Sequence, residues 1–198
     1  MNNKKTIDNL WSDFDNRSDT EENTVDKIAT VAPMLSYIAS VSTMNLYNKK
    51  DKIGLGSIKA RDFDNVFIET FLLEIFFLYS VILISKIKNK SKVKDIILQE
   101  TSSVLDLIIL ERDVEETFNI DKFIDKANKR IKEYSHKNDS KTYEDLFESD
   151  FLDLFIIKIG DILALSASSN YLIDFEKEIL NSVKALKLEI LFNFDEKK

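Results

Sequence analysis

Glycine and proline are scarce in this chain, and their scarcity limits what it can fold into. Only 3 glycines and 1 proline occur among 198 residues, whereas these two residues together make up roughly 12% of an average protein. A sheet fold needs many tight turns, which these residues supply, while a bundle of long helices needs few. The sequence therefore predicts an all-α fold, a single-domain bundle of about six to seven helices.

One stretch of the sequence is apolar on nearly every face of a helix. It runs through VFIETFLLEIFFLYSVILISKI and predicts a central hydrophobic helix at about 65–88, surrounded by the others. At the start of the chain, residues 1–17 are predicted to form a short amphipathic helix. Residues 18–24 are polar and read as a linker to the body of the single domain, 1–198.

Apolar residues at helical spacing predict the remaining helices of the bundle. These helices are expected at about 24–47, 91–110, 113–134, 140–162 and from 170 onward. The apolar positions of the first, third and last of these helices are predicted to face inward: Ile28, Leu35, Ile38, Val41 and Leu46; Phe123, Ile124, Ala127, Ile131 and Tyr134; and Phe175, Ile179, Val183, Leu186 and Ile190. Pro33 lies inside the first of them, so we expect that helix to kink or to begin there. Gly160 lies inside another, where close contact with a neighbouring helix would compensate for its low helix propensity.

The chemistry open to this chain is narrow because it has no cysteine and a single histidine. Cysteine and histidine zinc sites and di-iron sites cannot be built from such residues. His136 lies in the lysine-rich loop EYSHKNDS, which does not suit a Ser-His-Asp triad. We therefore expect no metal, no cofactor and no catalytic set, and the absence of cysteine suits a reducing cytoplasm.

Two acidic residues interrupt the predicted central helix. Glu69 and Glu74 would need partners if buried, and at 100° per residue they lie about 140° apart around the axis. They are either ion-paired structural residues or, together with Tyr79, the polar groups of a ligand-binding pocket. The same two acids argue against a membrane-spanning role for this helix, so we do not expect a membrane partner.

A second candidate site is a run of lysines after the central helix. It contains Lys86, Lys88, Lys90, Lys92 and Lys94 and no acidic residue. Such a run suits the negative end of a helix dipole or the binding of an anionic partner surface. The net charge of −7 argues against nucleic acid as that partner, because binding to phosphates depends on clustered Lys and Arg.

One segment resembles a known family of transcription factors. The stretch TVDKIATVAPMLSYIASVSTMNLYNKKDKI, residues 24–53, is similar to the N-terminal helix-turn-helix of TetR-type regulators, with apolar residues at Ile28 and Leu46 and lysines after Tyr47. The resemblance implies a DNA-reading motif followed by a ligand-binding bundle. The segment departs from that pattern in lacking a glycine turn and in containing Pro33.

Three hypotheses for function follow from these observations. The leading one is a non-enzymatic protein that acts through protein–protein interaction, of the inhibitor, immunity or adaptor type, with homo-oligomerisation left open. The alternative is a small-molecule-binding bundle with an apolar pocket near Glu69 and Glu74. The third is an enzyme that uses only carboxylates with Tyr or Lys, for which the sequence indicates no particular reaction. The resemblance described above adds the TetR-like regulator.

Overall fold

The computed structural model describes residues 21–51, 58–85, 92–111 and 120–192, and these ranges contain helices and no β-strand. The all-α prediction is confirmed. We number the α-helices of the described residues in chain order. They are α1 Glu21–Lys49, α2 Ala60–Ile84, α3 Val93–Glu111, α4 Ile120–Ser135, α5 Phe151–Leu163, α6 Asn170–Lys184 and the short α7 Leu188–Leu191. A 3₁₀ turn, Glu144–Glu148, lies between α4 and α5.

Helix α2 is the centre of the bundle, as predicted. It packs against α1, α3, α4, α5 and α7, and every residue from Phe71 to Leu78 is buried.

The bounds of α2 differ from the predicted 65–88. The helix begins earlier because the Asp62 carboxylate accepts the backbone N–H of Lys59 at 3.1 Å, which satisfies one amide at the helix start. It ends at Ile84 because Ser85 adopts an extended backbone conformation and its hydroxyl donates to the Ile82 carbonyl.

Aromatic rings fill the core where α2 meets α4 and α5. The ring centroid of Phe76 lies 5.3 Å from that of Tyr134 and 4.8 Å from that of Phe151. On the next residue, the Phe77 ring lies 5.2 Å from Phe147 in the 3₁₀ turn. Edge-on and tilted contacts at these distances are the favoured arrangements of aromatic pairs. Aromatic side chains therefore fill the core where these helices meet.

Helix α1 runs through Pro33 without a break, so it does not begin there, which was one of the two expectations from the sequence. It passes through Pro33, whose ring faces solvent, and it begins at Glu21, inside the predicted linker 18–24. A single helix over 21–49 does not fit the helix-turn-helix of TetR-type regulators that this segment resembles. A helix-turn-helix needs a turn within that stretch. The predicted helix at 1–17 and the glycine pair Gly54 and Gly56 lie outside the described residues.

The predicted helix at 140–162 is two elements. Side-chain hydrogen bonds to the backbone hold the first part in a different conformation, since the Asp145 carboxylate accepts the amides of Lys141 and Thr142 at 2.9 and 3.0 Å. Ser149 is extended, and its hydroxyl contacts the loop that follows α4. The α-helix therefore starts only at Phe151. Most of the predicted inward faces of the neighbouring helices are buried, with Phe123, Ala127, Ile131 and Tyr134 on α4 and Phe175, Ile179 and Val183 on α6. Ile124 is half-buried, and Ile190, which belongs to α7, is exposed.

Gly160 packs closely, as its position inside a helix predicted, although the nearest group belongs to the turn that follows α5. A Cβ atom at this position would lie 2.7 Å from the Leu165 carbonyl oxygen and 3.4 Å from Leu172 Cδ1 of α6. The turn itself is tight, since Ala164 adopts a left-handed conformation with φ of 52° and Leu165 N–H donates to the Gly160 carbonyl at 2.9 Å.

Substituting Gly160 by Ala should destabilise the protein even though alanine is the better helix former. Moving a backbone carbonyl away from the added methyl group should cost about 1–3 kcal/mol, which equals or exceeds the gain of about 1 kcal/mol in helix propensity. Urea unfolding followed by circular dichroism measures the difference. Asn181→Ala, at an exposed position of α6, is the control that shows the propensity effect alone. A Gly160→Ala protein more stable than the wild type would contradict this account of the turn.

Candidate interaction surface and buried carboxylates

Glu69 is buried and held by two cations from α4. Arg130 donates to both carboxylate oxygens, from Nε to Oε2 at 2.7 Å and from Nη2 to Oε1 at 2.8 Å, and Lys126 Nζ lies 2.8 Å from Oε1. Burial opposes ionisation of Glu69, but the hydrogen bonds from Arg130 and Lys126 outweigh it and lower the pKa of the carboxyl group. Glu69 is therefore an ion-paired residue that joins α2 to α4.

The ion pair continues towards α5. Arg130 Nη1 donates to Glu133 Oε2 at 2.8 Å, and Lys158 Nζ lies 3.1 Å from the same oxygen. The hydrogen bonds that Arg130 donates to Glu69 raise the pKa of Arg130, so the guanidinium is charged at any ordinary pH. We call these five side chains the ion network: Glu69, Lys126, Arg130, Glu133 and Lys158. It crosslinks the three helices around the aromatic core.

Glu74 is buried without a comparable partner. Its side chain is fully inside the protein, and neither carboxylate oxygen accepts a hydrogen bond from the described residues. Burial alone raises the pKa of this carboxyl group well above its ordinary value. An unpartnered carboxyl group inside a core is costly, so Glu74 is the residue whose burial the fold does not compensate.

Tyr79 does not join these carboxylates. Its half-buried ring packs on Phe76, with ring centroids 6.4 Å apart, and its hydroxyl bonds neither Glu69 nor Glu74. The predicted set of Glu69, Glu74 and Tyr79 is therefore spread over different sides of α2. A group of three or more His, Cys, Asp or Glu side chains able to hold a metal ion is not found among the described residues.

The predicted lysine run is only partly described. Lys86, Lys88 and Lys90 lie outside the described residues, while Lys92 is exposed and Lys94 is half-buried at the start of α3. Lys94 lines a cleft of about 410 Å³ between α3 and α4. The cleft also exposes the amides of Gln99 and Asn128 and the apolar side chains of Leu98 and Ile124. It is not lined by Glu69 or Glu74.

An exposed apolar face on α1 is the feature that the sequence pattern did not reveal. Tyr37 is 70% exposed, Met44 is 51% exposed and Val41, which helical periodicity had placed inward, is 38% exposed. Their spacing of i, i+4 and i+7 puts all three on one side of the helix. We call Tyr37, Val41 and Met44 the α1 face.

A shallow groove continues the α1 face towards α2. It has a volume of about 160 Å³, and its lining residues are Ser40, Thr43, Met44, Tyr47, Phe63, Asp64 and Phe67. Lys50 Nζ lies over the Tyr47 ring at 3.9 Å from its centroid, close to this end of the helix. The α1 face and groove together form an apolar surface that ends beside charged side chains.

Within the described ranges, one helix is long and apolar enough to cross a membrane by length and composition. It is the stretch Arg61–Ile84, and 78% of its most apolar window is buried inside the protein. This burial is that of a core helix, because its apolar side chains are already covered by neighbouring helices. Comparisons with protein-family models, with curated proteins and with solved structures gave no match.

Proposed function

We propose that this protein works by binding another polypeptide chain, as inhibitors, immunity proteins and adaptors do, and that the α1 face makes the contact. The observation that carries the proposal is the exposure of a tyrosine, a valine and a methionine on one side of a helix. Large aromatic residues that stand out of a surface are typical of the energetic centres of protein interfaces.

The composition of α1 around this face supports a protein partner. Between the buried Lys27 and Lys49 the helix carries no charged residue, although 32% of the whole chain is charged. Serine, threonine and asparagine lie between the apolar residues. Depletion of charge with aromatic residues and methionine retained is the composition of an interface core.

Site-directed crosslinking tests the proposal. The chain contains no cysteine, so a crosslinker attached to an introduced cysteine occupies one known position. Val41→Cys carrying a photoactivatable crosslinker should give one discrete covalent adduct with a polypeptide when it is irradiated in the cells of its source. Ile190→Cys is the matched control, because Val41 and Ile190 are both aliphatic, helical and 38% exposed. The control should give no such adduct.

The masses of the adducts decide the result. A discrete adduct from Val41→Cys that disappears when Tyr37→Lys is added supports the proposal, whatever the partner is. No adduct, or the same smear of products from Val41→Cys and Ile190→Cys, would show that the α1 face has no polypeptide partner.

The cleft between α3 and α4 favours a second candidate function, the binding of a small molecule. Its volume of about 410 Å³ falls in the usual range of ligand pockets, roughly 300–1,000 Å³. Its walls carry the amides of Gln99 and Asn128 together with the opposite charges of Lys94 and Asp95, which would suit a small polar molecule with an apolar body. Native mass spectrometry of the purified protein would detect such a ligand. Its loss in Asn128→Leu would place it in this cleft.

A further inference from the structure

We infer that the cleft between α3 and α4 binds a free α-amino acid with a large apolar side chain. The inference rests on the second candidate function, the binding of a small molecule, because it names the chemical class of that molecule. Its basis is that the walls of this one cleft carry a counterpart for each part of such a ligand: the ammonium, the carboxylate and the apolar side chain.

The polar side chains that line the cleft are available to a ligand. Lys94 and Asp95 come from the first turn of α3, Gln99 comes from its second turn, and Asn128 comes from α4. Within the described part of the chain, none of these four side chains makes a hydrogen bond or an ion pair. A ligand in the cleft therefore meets one ammonium, one carboxylate and two amides that no protein group satisfies.

The two charged side chains of the cleft lie close together. Lys94 and Asp95 are consecutive residues, and consecutive Cα atoms are about 3.8 Å apart. A ligand that meets both side chains at once needs its own two charges close to each other. An α-amino acid satisfies this condition because its ammonium and carboxylate are attached to the same carbon atom, whereas a dipeptide carries its charges at opposite ends. We therefore assign the ligand carboxylate to Lys94 and the ligand ammonium to Asp95.

The two amides complete the polar end of the cleft. A side-chain amide both donates and accepts hydrogen bonds, so Gln99 and Asn128 can each bind either charge of the ligand. Only residues 112–119 separate α3 from α4, and a short connection joins antiparallel neighbours. Antiparallel packing brings Asn128 to the same end of the cleft as Lys94 and places Ile120 at the opposite end.

The rest of the cleft is apolar. Its walls there are Leu98 on α3 and Ile120 and Ile124 on α4. Ile120, Ile124 and Asn128 follow one another at a spacing of four residues, which puts them on one side of α4. An amino acid held by its charges at the polar end therefore directs its side chain towards the two isoleucines. Burial of that side chain adds to the binding energy, because charge pairs at an open rim contribute little alone.

The size of the cleft sets the expected ligand size and affinity. Its volume of about 410 Å³ lies near the lower end of the usual range of ligand pockets, roughly 300–1,000 Å³. Leucine, with about nine non-hydrogen atoms, is a ligand of suitable size. So few atoms in an open cleft predict a dissociation constant of about 0.1–1 mM.

Nuclear magnetic resonance titration of the full chain with L-leucine and L-phenylalanine tests the inference. At least one of them should shift the backbone amide signals of the residues that line the cleft, and the shifts should saturate. Three further probes each lack one part of leucine: 3-methylbutylamine has no carboxylate, 4-methylpentanoate has no ammonium, and glycine has no apolar side chain. Each of these three should bind at least about tenfold more weakly than leucine.

Two variants test which protein charge meets which ligand charge. Lys94→Met should weaken leucine binding about tenfold but should not weaken the binding of 3-methylbutylamine, because that probe has no carboxylate to lose contact. Asp95→Asn should weaken the binding of leucine and of 3-methylbutylamine but not that of 4-methylpentanoate. A general loss of folding would not produce this crossed pattern.

Matched controls remove the same charges outside the cleft. Lys129→Met and Asp125→Asn make the same changes at exposed positions of α4 that do not line it. Both proteins should bind leucine as the wild type does. A Lys129→Met protein that loses as much affinity as Lys94→Met would show that only the overall charge matters, which contradicts the assigned contact.

Several results would overturn the inference. One is that neither leucine nor phenylalanine shifts any signal at about 20 mM, well above the expected dissociation constant. Another is that 4-methylpentanoate binds as tightly as leucine, which would make the ligand a simple acid. A different class of molecule, found by native mass spectrometry and lost in Asn128→Leu, would end the inference and leave the second candidate function standing. If no ligand is found and no probe binds, both are wrong.

Discussion

Arg130→Met is expected to lower the free energy of unfolding by about 3–5 kcal/mol, the usual cost of removing one partner from a buried ion pair. The reason is that Glu69 keeps its burial and loses the guanidinium that binds both its oxygens. Lys126 would remain, but its side chain is one-third exposed and supplies one contact. Urea unfolding at neutral pH measures the change.

A second substitution separates the charge effect from the packing effect. The double variant Glu69→Met with Arg130→Met should recover most of the lost stability, because a buried pair is often replaced by apolar residues of similar volume without loss. Lys126→Met is the control. It removes a partly exposed cation from the same carboxylate and should cost less than about 1 kcal/mol. An Arg130→Met protein within 1 kcal/mol of the wild type would mean that the ion network does not stabilise the fold.

Glu74→Leu is expected to raise the free energy of unfolding at pH 7 by about 1–3 kcal/mol, the penalty of a buried polar group without a partner. Leucine is close to glutamate in size and has no polar atom to satisfy. Glu74→Gln is the matched comparison. It removes the ionisable group but leaves an unpartnered amide in the same place, so it should gain less than leucine does.

The pH dependence of stability follows from the direction of the Glu74 pKa shift. Burial raises the pKa of this carboxyl group in the folded protein above its value of 4.5 in the unfolded chain. Its contribution to stability is therefore fully present below about pH 4.5 and is lost as the pH rises through the folded pKa. The wild-type protein should lose more stability than Glu74→Gln as the pH rises from 5 to 8 in urea unfolding.

The contribution of Glu69 to the pH dependence of stability has the opposite sign. Its folded pKa is lowered, so its stabilisation is present above the unfolded pKa and is lost as the pH falls through the folded value. The double methionine variant should therefore resist acid better than the wild type.

A Glu74→Leu protein less stable than the wild type at pH 7, with no difference in pH slope, would mean that Glu74 has a partner in solution and would favour a functional role for it.

The sequence predicted the class of the fold because that class depends on local signals. Helical periodicity and few turn residues are enough to expect packed helices, and an all-round apolar stretch is enough to place α2 at the centre. The break at Ser149 was missed because it depends on hydrogen bonds such as that from the Ser149 hydroxyl to the Lys137 carbonyl, twelve positions away. The spacing of apolar residues gives no information on such hydrogen bonds.

The candidate site was harder to predict for a similar reason. The partner of Glu69 is 61 residues away in the sequence, so a buried acid could be expected without knowing what neutralises it. On α1, apolar spacing assigned Val41 to the core, whereas the structure shows it on the α1 face. The available signal was the absence of charge from Ile28 to Asn48, which indicates a covered surface but not what covers it.

The central position of α2 has a consequence for how the chain is made. Its apolar residues are complete once residue 84 has been synthesised, but α5, which covers one of its sides, ends only at Leu163. At about 5–20 residues per second, the helix waits roughly 4–16 seconds on the ribosome with that side uncovered. During this interval the nascent chain presents the most apolar segment of the protein to its surroundings. We therefore expect the step that most needs a chaperone to fall between the synthesis of α2 and that of α5.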